Sequence, residues 1–357
     1  MRERIDWKIF LGLGLILLVA VETGYPSGTG NSIVVEDGLG RKVSVPGEVE
    51  RVVGLEAGAL RLITYMEATD RVVGVENFEK RDKKRPYRLA HPELAELQSI
   101  GPIHGGDSEL IVAARPDVIF WTYTTKKKAN DLQAKTGIPV IGLDYGGIKA
   151  KTRDNFFSSL RLLGEILDKE KRAEEVIDFV EEEINALREK SEEAGRSGIS
   201  AFVGGIGYKG VHGIVSTEPS YPPFTFLGIK NVAGNLGLDH VMISEEKLIQ
   251  WNPDYLFVDE AGLSVVKKNL KEPQFEGLSA VRSGRVFGLL PYNYYTTNFG
   301  TVLADAYYVG KLIYPDEFRG TDPEKEADRI YEFLVGESVY SEMEGLFGGF
   351  ERIELNN

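Results

Sequence analysis

A segment in the first half of the chain recurs in the second. Glu109-Leu-Ile-Val-Ala-Ala-Arg-Pro-Asp-Val-Ile-Phe120 aligns with Glu246-Lys-Leu-Ile-Gln-Trp-Asn-Pro-Asp-Tyr-Leu-Phe257 at an offset of 137. A second pair, Pro139-Val-Ile-Gly-Leu143 and Arg285-Val-Phe-Gly-Leu289, follows in the same order at an offset of 146. Each copy reads as helix, Pro-Asp, buried strand, helix, strand. The Pro-Asp step has a local reason: proline cannot continue a helix, and its fixed φ starts the extended chain that follows. One such match could arise by chance, but two in one order imply a chain with related α/β halves. Two copies are too few for a solenoid. At 357 residues the chain is long for one core and comfortable for two lobes.

The remaining pattern agrees. Ile33–Val35 and Lys42–Val45 flank Asp37-Gly-Leu-Gly40, a hairpin signal. Short Val- and Ile-rich runs then alternate with helical patterns: strands at 52–55, 72–75, 118–121 and 140–143, helices at 58–67, 108–114 and 126–136. That order implies a parallel sheet covered by helices on both faces. From Thr152 to Ala194 the period is helical and the charges dense, which predicts one long helix, broken at most near Asp168, crossing between the lobes. Alternation restarts with strands at 200–203, 214–215, 255–258 and 286–290. Helices follow at 245–251, 301–312 and 323–334, the last capped by Thr321 or Asp322. The fold class expected is therefore α/β: two Rossmann-like lobes joined by one long helix, with a ligand cleft between them. The divisions are 1–31 (signal peptide and tether), 32–150 (first lobe), 151–196 (linker helix) and 197–357 (second lobe with a terminal helix).

Composition excludes several function classes. With 42 basic and 55 acidic residues the formal charge is −13, which lacks the basic footprint that nucleic acid requires. Cysteine is absent, and with it disulfides, Cys zinc sites, iron–sulfur clusters, thiol catalysis and a lipoprotein anchor. Arg2, Arg4 and Lys8 precede thirteen uncharged residues, Ile9 to Val21. That run is short for a bilayer span and fits the core of a secretory signal. The mature part is expected outside the cytoplasm, with the segment either cleaved or retained as an anchor. Gly205-Ile-Gly-Tyr-Lys-Gly210 fits a dinucleotide-loop spacing, but no helix pattern opens after it. No phosphate-loop motif and no nucleophile elbow occurs. The four histidines, at 91, 104, 212 and 240, form no helical pair, which disfavours a carrier of bare zinc or manganese.

Taken together, the Asp37–Val45 stretch, the strands Arg51–Leu55 and Val72–Val75, the paired Glu…Pro-Asp segments, Pro291–Asn298 and Ala304–Pro315 make the chain resemble a family. It is similar to the substrate-binding proteins of ABC importers for iron–siderophore complexes and cobalamin, over nearly all of the mature chain. The resemblance implies a monomeric, non-enzymatic protein that captures a small metal chelate and hands it to a membrane permease. It further implies that one exposed glutamate per lobe docks on the permease; residue by residue these are Glu109 and Glu246. As first-turn acids of two helices they also have a purely local reason to be there.

Ligands of doubly wound sheets sit beyond the carboxyl ends of the strands. With two such lobes, the candidates are the residues that follow each strand. In the first lobe these are Glu56, Phe78, Arg85, Trp121, Tyr123 and Tyr145. In the second they are Tyr208, His212, Tyr292, Asn293, Tyr294 and Tyr295. Aromatic rings with polar tips suit a bulky chelate with a polar rim. The run Lys80-Arg-Asp-Lys-Lys-Arg-Pro-Tyr-Arg88 is a basic island that would draw an anionic ligand such as a ferric catecholate, ferric citrate or oxyanion. Tyr294 and Tyr295, being adjacent, are poorly placed to ligate one ion. No direct metal ligand and no cofactor is expected; the bound molecule is a ferric chelate of siderophore type. Cobalamin, haem and molybdate or tungstate are the alternatives within the family, and a metallocofactor enzyme on a nitrogenase-like two-lobe scaffold is the alternative outside it.

Overall fold

The computed structural model describes residues 31–195, 198–237 and 240–355; the signal-peptide reading lies outside the described residues. The chain opens with an antiparallel hairpin, β1 (Ser32–Glu36) and β2 (Lys42–Pro46). Its turn is fixed by Asp37, whose carboxylate accepts from the amides of Leu39, Arg41 and Gly142 and pairs with the Arg41 guanidinium. The turn thereby fastens the hairpin to the first lobe, where Gly38 also donates to the Gly142 carbonyl at 2.8 Å.

The first sheet is built from β3 (Val52–Leu55), α1 (Ala59–Tyr65), β4 (Val72–Gly74), α2 (Asn77–Arg81), α3 (Pro86–Ala90), α4 (Ser108–Ala114), β5 (Val118–Thr122), α5 (Lys126–Thr136) and β6 (Val140–Leu143). All its strands are parallel, in the order β4-β3-β5-β6. β3, β5 and β6 are buried at every position, as expected of strands covered on both faces.

Next come α6 (Arg153–Leu167) and α7 (Glu170–Glu193). The single crossing helix expected from the periodicity is thus two helices. Asp168 adopts a left-handed conformation (φ 54°) that ends α6, and α7 folds back against it. Ala173 of α7 lies close over Gly164 of α6, where a Cβ on the glycine would meet it at 3.0 Å. The connector is therefore a helical hairpin. The 24 residues of α7 span about 36 Å at 1.5 Å per residue, well short of a continuous 40-residue rod.

The second sheet uses β7 (Ser200–Gly204), β8 (Ser216–Thr217), α8 (Pro222–Phe226), β9 (Lys230–Asn231), β10 (Val241–Met242), α9 (Glu245–Trp251), β11 (Tyr255–Asp259), α10 (Leu263–Asn269), α11 (Ser279–Arg282) and β12 (Val286–Leu289). Its parallel order is β12-β11-β7-β9. Setting β7, β9, β11 and β12 beside β3, β4, β5 and β6 gives the same order in both lobes. The short strand expected at Ile214–Val215 is displaced to Ser216–Thr217, where it pairs with β10 outside the main sheet. The chain ends with α12 (Phe299–Ile313), α13 (Pro323–Val335) and α14 (Tyr340–Phe347). Asp322 caps α13 through the Lys325 amide. α12 is buried along almost its whole length, packed among α7, α8 and α13. α14 was not anticipated from the sequence, nor were the short helices α2, α3 and α8.

The repeated Pro-Asp earns its place structurally. α4 and α9 are each seven residues long and end on a left-handed residue, Arg115 (φ 51°) and Asn252 (φ 47°). The aspartate that follows the proline then reaches across to the start of the neighbouring strand. Asp117 accepts from the amides of Glu50 and Arg51 at 3.0 and 2.8 Å. Asp254 accepts from the Ser200 amide and hydroxyl at 2.9 and 2.8 Å. One carboxylate thus sets the register of two strands in each lobe.

Candidate functional site

The carboxyl ends of both sheets face the same space, and the segment 292–298 of the second lobe lies across it. This strap is bonded to the first lobe along its length. Arg61, buried in α1, donates to the carbonyls of Thr297 (2.9 Å) and Tyr295 (3.2 Å). Tyr145 Oη donates to the Thr297 carbonyl at 2.6 Å. Tyr123 and Thr296 share a hydroxyl–hydroxyl bond. The Tyr295 ring packs on Phe78, centroids 4.4 Å apart, with the Arg85 guanidinium over both rings. Tyr294 Oη donates to Asp82 at 2.6 Å. Within its own lobe the strap is tied by Asn298, whose side-chain amide donates to the carbonyls of Tyr292 and Tyr294. Asn293 bonds the Gly207 carbonyl, which joins the strap to the loop after β7.

Backbone conformation marks the same region. Among the described residues, ten non-glycine residues have positive φ. Arg115, Asp168 and Asn252 do so as helix stops. Glu56, His104, Tyr123, Lys209, Tyr295 and Thr296, six of the remaining seven, lie at or beside the strap and the strand ends. Left-handed conformations carry a steric cost for residues with a Cβ and gather where geometry is held for function.

Charge in the first-lobe wall centres on Glu76. It is 2% exposed and accepts from the amides of Gly105 and Glu56, both at 3.0 Å, and from Tyr295 Oη at 3.5 Å. Burial pushes it up to about 7 against the opposing pull of those two amides. Glu56 itself accepts from Nδ1 of the exposed His104. In the second-lobe wall Tyr208 stacks on His240 (4.5 Å, 11° between planes), and His212 stands 6.0 Å from His240.

The sequence candidates thus fall into two groups. Glu56, Phe78, Tyr123, Tyr208, His212, Asn293, Tyr294 and Tyr295 are at least partly exposed around the cleft. Trp121, Tyr145 and Tyr292 stand behind it, buried; Tyr292 bonds Glu218, and Tyr145 stacks on Phe299 at 5.1 Å. The basic island requires correction. It is two short helices and their link, with Arg81, Lys83 and Lys84 exposed and Arg85 and Arg88 turned inward. Arg85 and Arg88 are 0% exposed and pair with Glu79, itself bonded by Tyr87 Oη. Lys80 is spent on the carbonyls of Ala95 and Leu97. Arg85 reaches the cleft only by backing Phe78 and Tyr295 with its charge. Sequence reasoning missed Arg61, Glu76, His104, His240 and Thr296. The left-handed His104 beside Gly105-Gly106 carried a turn signal that could have drawn attention; nothing in the sequence distinguished Arg61 from any other helix arginine.

Glu109 and Glu246 occupy the same position, second in α4 and second in α9, and both are exposed. Among the described residues no group of three or more His, Asp or Glu side chains is gathered to hold a metal ion, and no helix is long and apolar enough to cross a membrane.

Comparison with known proteins agrees with this architecture. Residues 52–292 match the family described as periplasmic binding protein. The chain is 24% identical over 322 residues to the molybdate-binding protein MolA of Haemophilus influenzae, covering 84% of this chain and 90% of that one. It is 21% identical over 270 residues to the petrobactin-binding protein YclQ of Bacillus subtilis, covering 72% and 79%. Among solved structures, a periplasmic solute binding protein from Veillonella parvula superposes with a TM-score of 0.72 at 19% identity, over 89% of this chain and 97% of that one. MolA bound to molybdate superposes with a TM-score of 0.68 at 21% identity, over 86% and 98%. With the family match spanning well over half its length, the chain belongs to the periplasmic binding protein family.

Proposed function

We propose that the protein is the extracytoplasmic solute-binding component of an ABC importer, and that its ligand is a metal chelate of the iron–siderophore type. The carrying observation is that the segments after the strands of both sheets meet at the strap. The exposed or half-exposed side chains on those segments include aromatic and imidazole groups, Tyr123, Tyr208, His104, His212 and His240. Rings with polar tips offer wide contact to an organic chelate together with a few directional bonds. A compact oxyanion is the second reading. It is favoured by the strap, which already spans the cleft and narrows it, and by the relative that binds molybdate.

Delivery would use Glu109 and Glu246, two acidic points at equivalent places on the two lobes, a pattern that fits a two-fold permease. The ligand class is tested by thermal shift of the purified chain against ferric chelates, corrinoids, molybdate and tungstate. A ligand at 1,000-fold over its Kd stabilises the folded state by about 4 kcal/mol, so the correct class raises Tm by several degrees. A shift with oxyanions alone would replace the chelate reading with the second one, and no shift with any of them would remove both.

A further inference from the structure

The strap's peptide groups are sorted by side. Asn298 Nδ2 donates to the carbonyls of Tyr294 (3.0 Å) and Thr296 (3.3 Å), and Arg61 to those of Tyr295 (3.2 Å) and Thr297 (2.9 Å). Arg61 and Asn298 are 1% and 2% exposed and line one small buried cavity with Tyr65, Tyr87 and Tyr331. Four successive carbonyls thus face the interior. No peptide among the described residues is cis, and in a trans peptide the N–H points opposite to the C=O. The amides of Tyr295, Thr296 and Thr297 are therefore turned away from Arg61 and Asn298. None of the three has an acceptor among the described residues, and all three residues are half-exposed. The next amide, that of Asn298, returns to the Tyr292 carbonyl at 2.7 Å and closes the turn. Tyr295 and Thr296 hold the arrangement at left-handed φ, 53° and 63°. Successive N–H groups turned to one side make a concavity suited to an anion.

A second, independent observation concerns charge. Arg61, Arg85 and Arg88 are each at most 1% exposed. Arg85 and Arg88 pair with Glu79. Arg61 has no carboxylate partner among the described residues. Its bonds go to the Tyr295 and Thr297 carbonyls and the Tyr145 hydroxyl, its face lies over the Tyr87 and Tyr145 rings, and its Nε has no partner. Buried charges are ordinarily paired, because desolvation is costly. The strap peptides set their oxygens toward this cation and their N–H groups away from it. Guanidinium and peptide dipoles then reinforce each other, and both draw negative charge to the amide side.

We propose that the amides of Tyr295, Thr296 and Thr297 receive an anionic oxygen of the ligand, and that Arg61 strengthens them from behind the strap without touching the ligand. The proposal rests on the ligand-binding reading given above and narrows its class. The ligand carries oxygen-centred negative charge, as a free oxyanion or as a carboxylate or catecholate oxygen of an anionic chelate; a neutral chelate lacks what these amides recognise. Arg61 is a positioning residue, since it acts through the Tyr295 and Thr297 carbonyls.

The test uses the full chain and three probes: molybdate, an anionic ferric tricatecholate and a neutral ferric trihydroxamate. Amide hydrogen exchange at 295–297 should be fast in the free protein and slowed by an anionic probe, with no slowing by the trihydroxamate. Slowing by molybdate identifies a free oxyanion as the source of the charge, and slowing by the tricatecholate alone identifies an anionic chelate. Arg61→Gln should weaken binding of the anionic probe about tenfold, and Arg61→Lys, which keeps the charge, should weaken it less. The exchange measurement needs no variant, so it decides the matter even where a substitution unfolds the chain. Unslowed exchange at 295–297 with an anionic probe that raises Tm would overturn the proposal. So would equal affinity for the trihydroxamate and the tricatecholate, or an unchanged Kd in folded Arg61→Gln. If the neutral chelate alone raises Tm, this inference fails and the importer reading stands. If no probe raises Tm, the ligand reading is itself at fault and this inference falls with it.

Discussion

Asp259 closes β11, is 1% exposed and accepts one bond, from the Ala261 amide. Burial pushes its carboxyl from 3.8 to about 8. The neighbouring Glu260 is likewise pushed up to about 8 by burial, and Asp305, fully buried, is held well above its ordinary value. These groups are protonated in the folded protein at neutral pH and ionised in the unfolded chain. Each has a folded value raised above its unfolded one, so its contribution is full below about pH 4 and is lost as pH rises through the folded value, about 8 for Asp259. Within that window each group steepens the fall of stability by about 1.4 kcal/mol per pH unit. Asp259→Asn keeps the acceptor for Ala261 and removes the titration. Urea unfolding at pH 5, 6 and 7 should therefore show the wild-type stability falling more steeply than the variant's, by about 1.4 kcal/mol per unit. The variant should gain on wild type as pH rises. Parallel lines for the two proteins would mean that Asp259 is ionised in the fold, and would refute the argument from its burial.

Two further outcomes are expected. Arg61→Met removes the donor to the Tyr295 carbonyl and one of the two donors to the Thr297 carbonyl, which keeps Tyr145; leaving the Tyr295 carbonyl unsatisfied should cost about 1–3 kcal/mol in urea unfolding, and a loss below 0.5 kcal/mol would show that the strap does not depend on Arg61. Glu109→Lys with Glu246→Lys should abolish ligand uptake in reconstituted vesicles while Kd, read by intrinsic fluorescence, stays unchanged; a weakened Kd would contradict a docking role for two exposed side chains.

The architecture was legible because its signals are local. Val52–Leu55 and Val118–Thr122 are apolar runs long enough for a strand and too short for a helix, and Pro116 and Pro253 mark where helix gives way to strand. The identical strand order of the lobes could be anticipated from the two aligned segments. The break at Asp168 was less legible, because an aspartate can continue a helix and only the packing of Ala173 on Gly164 makes the return turn favourable. The cleft was read in outline from strand ends, yet its details depend on contacts between residues far apart in the chain. Lys80–Arg88 shows the difference. Six positive charges in nine residues look like a surface, and only the partners they find, Glu79 beside the run, Ala95 and Leu97 a little further on and Tyr295 far along the chain, reveal that much of that charge is internal. Arg61 is similar, since its acceptors on the strap lie more than two hundred residues away.

The strap belongs to one lobe by chain connectivity and to the other by bonding. Arg61, Tyr123, Tyr145, Asp82 and the Phe78–Arg85 pair all hold it from the first lobe, within a stretch of four residues. A swing of the second lobe cannot lengthen these bonds one at a time, because Tyr294 to Thr297 would move together. Separation of the lobes is consequently a threshold event and not a gradual breathing. Below the threshold the protein resists opening, and contacts away from the strap, Lys149 with Glu218 and His91 with the Val335 carbonyl, add to that resistance.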